Sequence, residues 1–75
     1  MNYKSVIFVD VDKPKDLLEI FEPEMKNSIN DRALYNLTAL ENSVKFDIEA
    51  KDSVSLRAVL NSITKLLTVY EKLKH

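Results

Sequence analysis

Seventy-five residues leave room for one domain, residues 1–75, against a typical size of roughly 150 residues per domain. The chain has no cysteine, no glycine and a single histidine, His75, at its last position, which removes disulfides, thiolate zinc sites, Ser-His-Asp triads and every glycine-dependent phosphate loop. Eleven basic residues against twelve acidic ones give a net charge of −1, too even for a polybasic nucleic-acid binder.

Residues 3–11, YKSVIFVDV, are β-branched and aromatic and run into an Asp-Lys-Pro turn, which predicts a strand. Ile7, Val9 and Val11 point to one face and Val6 and Phe8 to the other, so apolar groups lie on both sides. Asp12 is expected to cap a helix with Lys13 and Pro14 in its first turn, where Asp16 and Glu19 suit the positive end of the dipole. Leu17, Leu18, Phe21 and Met25 recur at helical spacing. The helix is expected to bend or end near Pro23, whose ring removes a backbone donor, and Lys26–Asp31 is expected to be a loop.

Residues 32–40 predict a second strand, with Leu34 and Leu40 on one face and Ala33, Tyr35, Leu37 and Ala39 on the other. Residues 44–50 alternate: Val44, Phe46, Ile48 and Ala50 inward; Lys45, Asp47 and Glu49 outward. Glu41-Asn42-Ser43 joins the two as a hairpin; without glycine it is expected to be slightly longer than a primed two-residue turn. From about Ser53 to Leu73 a long helix follows, capped by Asp52 or Ser53 and about 31 Å in length. Leu56, Ile63 and Tyr70 form one seam, Val59, Leu66 and Leu73 a second, and Leu60 and Leu67 widen the stripe.

The order β-α-β-β-α predicts an α+β fold, a three-stranded antiparallel or mixed sheet with both helices packed on one face. A domain this short buries only about 60% of its unfolded surface and leans on a staple or a partner. Two helices cover one side of the sheet, so Val6 and Phe8, or their opposite set, together with half of the second strand, face outward as an apolar patch. Val6, Phe8, Tyr35 and Leu37 are the candidate dimer residues. Leu17, Phe21, Leu56, Val59, Leu60, Ile63 and Leu67 are the candidate groove for helices of another protein.

Charge is segregated along the chain. Residues 10–24 hold six acidic residues against Lys13 and Lys15, whereas residues 51–75 hold five basic residues against Asp52 and Glu71. These ends read either as two solvated faces or as a surface that steers a charged partner. Glu22 and Glu24 lack the second catalytic residue type that acid/base work needs. No catalytic residue, cofactor, metal or small-molecule substrate is expected. No apolar run approaches about 20 residues, and the start lacks a signal-peptide pattern, so a soluble cytoplasmic protein is expected.

Four segments together resemble the Pcc family: Phe21-Glu22-Pro23-Glu24, Phe46-Asp47-Ile48-Glu49-Ala50-Lys51-Asp52, Ser55-Leu56-Arg57-Ala58-Val59-Leu60-Asn61-Ser62 and Leu66-Leu67-Thr68-Val69-Tyr70-Glu71. That family supplies the small subunit of the KEOPS complex and is related to the cancer/testis-antigen proteins. The likeness spans nearly the whole chain. It implies a homodimer whose helices pack against a threonylcarbamoyltransferase, the enzyme that modifies the adenosine beside the tRNA anticodon. This chain would bridge two such units without chemistry of its own. Arg57, Asn61, Lys65 and Lys72 fall near one line on the last helix, with Thr64 and Thr68 beside them. The line reads as a solvated face, as polar contacts at a protein interface, or as an auxiliary grip on tRNA phosphates. A KH-like RNA-binding domain, against which the missing GxxG clamp counts, and a small dimeric protein with an unrelated partner are the alternative readings.

Overall fold

The computed structural model describes residues 2–27 and 33–73, the side chains of residues 25–27 excepted. The elements are β1 (Tyr3–Asp10), α1 (Pro14–Asn27), β2 (Ala33–Ala39), β3 (Ser43–Ala50) and α2 (Ser53–Leu73). The sheet order is β1-β3-β2, and both pairings are antiparallel. The last strand is thus inserted between the two that flank α1, and both helices lie over one face of the sheet. This is the α+β arrangement expected from the element order.

Strand β3 runs through the middle, and its alternation decides which face is covered. Val44, Phe46, Ile48 and Ala50 are all buried. Register carries that face outward to both edges. Phe46 stands between Ile7 and Leu37, Ile48 between Ser5 and Tyr35, and Val44 between Val9 and Ala39. Leu17 and Phe21 of α1 and Ile63 and Tyr70 of α2 close over this surface. Phe21 is the meeting point: its ring lies 5.2 Å from Phe46 and 6.4 Å from Tyr35, edge-on to both, the arrangement that ring quadrupoles favour.

Local chemistry sets the element ends. Asp52 caps α2: its carboxylate accepts from the Ser55 N–H at 2.7 Å while its carbonyl accepts from Leu56 N–H at 3.0 Å, satisfying one of the donors a helix start leaves open. Helix α1 begins at Pro14, so Lys13 and not Asp12 occupies the capping position, and Pro14 sits where its missing N–H costs nothing. Pro23 does not end α1. The helix continues four residues beyond it, to Asn27, so Lys26 and Asn27 are helical and the rest of the expected 26–31 loop lies outside the described residues. So does Arg32, the expected start of β2. Three residues, Leu40–Asn42, connect β2 and β3; Leu40 N–H donates to the Ser43 carbonyl at 2.8 Å. No described residue has positive φ, so the loop does without the left-handed geometry of a primed turn.

Two expected outcomes test this core. Phe46→Ala should cost about 3–5 kcal/mol in urea unfolding followed by circular dichroism, most of the stability a domain of this size possesses. Pro23→Ala should stabilise by about 2 kcal/mol, because it restores a helix donor that the ring removes.

Candidate interaction surfaces

The face of the sheet turned away from the helices is a mosaic of three rows. Glu49 stands between Lys4 and Leu34, Asp47 between Val6 and Asn36, and Lys45 between Phe8 and Thr38. Three apolar side chains on this face are largely exposed: Val6 at 53%, Phe8 at 61% and Leu34 at 63%. The central strand contributes only charge, with Lys45 paired to Asp47 at 3.7 Å. An open hollow lined by Lys4, Val6, Leu34, Asp47 and Glu49 crosses it.

Tyr35 and Leu37 are not part of that patch. They lie on the helix-covered face and pack against the core, because their register partners on β3 are the inward residues Ile48 and Phe46. The four residues grouped from sequence therefore divide, two to each side, and Leu34 takes the place of Tyr35 and Leu37 beside Val6 and Phe8. Parity sets Leu34 on the face opposite Tyr35, and the register with β3 fixes which parity faces in.

The helix residues divide as well. Leu17, Phe21 and Ile63 are fully buried inside the domain, so they offer nothing to another protein while the domain stays folded. Leu56, Val59, Leu60 and Leu67 are half-buried, packed against the core along one side and open along the other. Val54, Val69 and Leu73 on α2 are exposed. Leu66, Val69 and Leu73 recur at a spacing of three and four, which sets them on one flank. Sequence periodicity placed Leu66 and Leu73 in a seam but left Val69 out.

Arg57, Asn61 and Lys65 are exposed and four residues apart on α2, so they form one stripe on the solvent side. The neighbouring threonines are otherwise engaged. Thr64 Oγ1 donates to the Asn61 carbonyl at 3.0 Å and Thr68 Oγ1 to the Thr64 carbonyl at 3.0 Å, so neither hydroxyl proton is directed at a ligand. Among the described residues, no cluster has the composition of a metal site and no helix is long and apolar enough to cross a membrane.

A family model described as "Transcription factor Pcc1" matches residues 5–73. The match runs from the third residue of β1 to the last of α2, and the chain belongs to this family, the Pcc1 subunit family of KEOPS. It is a family of accessory subunits and not of catalysts. No curated protein and no solved structure matches the chain.

Tyr35 gives the covered side a measurable signature. Burial pushes its hydroxyl above the usual tyrosine range, and the Glu24 carboxylate adds to the effect. A value raised on folding contributes stability that is complete below the unfolded value of about 10 and is lost as pH rises through the folded one. Thermal melts taken stepwise from about pH 8 to pH 11 should therefore show an alkaline loss that Tyr35→Phe reduces. Glu24→Gln should reduce it less, since burial is the larger cause.

Proposed function

We propose that this Pcc1-family chain is the non-catalytic scaffold and dimerisation subunit of a KEOPS complex, the assembly that makes threonylcarbamoyladenosine next to the tRNA anticodon. It binds the catalytic transferase subunit through the half-buried stripe Leu56, Val59, Leu60 and Leu67 together with the exposed flank of α2. It self-associates through the sheet, bridging two catalytic units, and it works in the cytoplasm where the tRNA is. Arg57, Asn61 and Lys65 lend an auxiliary contact to tRNA phosphate. The observation that carries this reading is the family match over residues 5–73.

The physical chemistry supports the same role. A bridging subunit needs two separate contact surfaces, and this domain leaves apolar groups uncovered in two places: Val6, Phe8 and Leu34 on the sheet, and Val69 and Leu73 on α2. Surfaces of that kind mark interaction sites more often than they mark waste. Helix on helix is the natural mode for the α2 flank, because apolar residues at a spacing of three and four fit the groove between two partner helices.

Co-expression with the transferase subunit tests the first part. The two should co-purify at an equimolar ratio, and Val69→Glu combined with Leu73→Glu, both at exposed positions, should abolish recovery while leaving the circular dichroism spectrum intact. Affinity for RNA in isolation would instead favour a KH-like domain, and recovery of neither would favour an unrelated partner. For the tRNA contact, Arg57→Ala with Lys65→Ala should weaken tRNA binding by the assembled complex and lower its salt slope by about 2; unchanged binding retires that part alone.

A further inference from the structure

Strand β2 is an unprotected edge. It has a strand on one side only, and of the three strands it alone carries no charged residue: ALYNLTA, against Lys4 and Asp10 in β1 and Lys45, Asp47 and Glu49 in β3. Its register with β3 is continuous from Ala33 to Ala39, without a bulge or a proline. The devices by which natural sheets keep an edge from accepting another strand, namely lysine, proline, bulges and inward charges, are therefore missing from it.

Hydrogen-bond parity shows which backbone groups this edge offers. Leu40 N–H donates to the Ser43 carbonyl, and Val11 N–H to the Asn42 carbonyl. Bonded and non-bonded pairs alternate along an antiparallel ladder, so the first bond sets Leu34, Asn36 and Thr38 with their N–H and C=O toward β3. Tyr35, Leu37 and Ala39 turn theirs to the free side. By the second bond, Lys4, Val6 and Phe8 do the same on β1. Ala33 is buried at the start of β2 and Ala39 is exposed at its end, so the open stretch is 35–39. Leu34, 63% exposed, and Leu40, 42% exposed, share one parity and bracket that stretch with apolar anchors.

Charge selects the occupant. On the helix side Glu24 is close enough to Tyr35 to act on its hydroxyl. On the open side Asp47 and Glu49 stand behind Asn36 and Leu34, and Glu41 follows the strand. Lys45, opposite Thr38, is the base that β3 sets against these carboxylates, and Lys4 lies one strand further off on β1. A second copy at this edge would bring the same acidic excess, like charge against like. We infer that β2 accepts, as a fourth strand, an extended basic segment of a partner protein, with its apolar residues on the side of Leu34 and its lysines or arginines on the side of Tyr35, facing Glu24. Main-chain hydrogen bonds supply the affinity in this mode and the alternating side chains the selectivity. The surface is separate from the α2 flank assigned to the transferase, so either can stand without the other.

A capped peptide of about nine residues, alternating valine and lysine, carries that pattern and serves as the probe. At saturation it should slow amide hydrogen exchange several-fold at Tyr35, Leu37 and Ala39 and leave Lys4, Val6 and Phe8 unchanged. A version N-methylated throughout has no donors and should not bind, and one with glutamate for lysine should bind at least tenfold more weakly. Glu24→Gln should weaken the lysine peptide several-fold. Asn36→Lys, which places a gatekeeping charge on the exposed side of β2, should weaken it roughly tenfold; both variants should keep the circular dichroism spectrum. Equal binding of the glutamate peptide overturns the basic occupant, and protection on β1 in place of β2 overturns the edge. Protection of Tyr35, Leu37 and Ala39 that rises with protein concentration and no peptide present gives the edge to a second copy and overturns the proposal, as does an absence of binding at millimolar peptide. Each of these leaves recovery with the transferase subunit unaffected, so the two readings fail separately.

Discussion

Two helices can cover one face of a three-stranded sheet and no more, and the rest of this molecule follows from that limit. The covered face is built on β3, whose inward residues are buried from end to end, and it is locked by Phe21 set edge-on between Phe46 and Tyr35. Each helix contributes large apolar groups to that one layer: Leu17 and Phe21 from α1, Ile63 and Tyr70 from α2. Nothing is left over for the other face. The described elements form two layers and no third, and the second face of the sheet stays open, with Val6, Phe8 and Leu34 exposed on it.

The open face resolves that choice strand by strand. Its centre is kept soluble by Lys45, Asp47 and Glu49, and the Lys45–Asp47 pair at 3.7 Å is too exposed to add much stability. Its effect is on specificity, because a charged centre discourages indiscriminate stacking of sheets. The apolar groups are displaced to the edge strands, Val6 and Phe8 on β1 and Leu34 on β2. An edge strand that carries exposed apolar groups is ordinarily a liability.

How much of this was legible depends on how each element declares its faces. Strand β3 alternates strictly, so its inward set was readable without a structure, and α2 was readable from its capping aspartate to Leu73 because nothing in it interrupts a 3.6-residue period. Strand β2 was not readable in the same way. Leu34 and Tyr35 are both apolar neighbours of opposite parity, and only pairing with β3 tells which of them points inward. Of the bend or end expected at Pro23, the end does not occur: the local rule weighs one lost hydrogen bond and steric conflict, while Phe21 and Leu17, both fully buried, hold the preceding turns in place against that cost. The division of helix residues between core and surface was likewise hidden: period shows that Leu17, Ile63 and Leu60 belong to apolar stripes, but not how deep each stripe sinks.

Helix α2 shows why the second contact surface is where it is. Twenty-one residues make about 31 Å of helix, whereas the eight residues of β3 make about 27 Å of strand. The two lengths nearly match, and α2 is buried near both ends, at Ser55 and Tyr70, so its exposed apolar groups lie on its outer flank. Val54 in the first turn is 75% exposed and Leu73 in the last 68% exposed, while Ile63 near the middle is buried. The last turns carry Leu66, Val69 and Leu73 on one flank, with Leu66 packed partly against the core and Val69 and Leu73 exposed, a spacing that suits the groove between two helices.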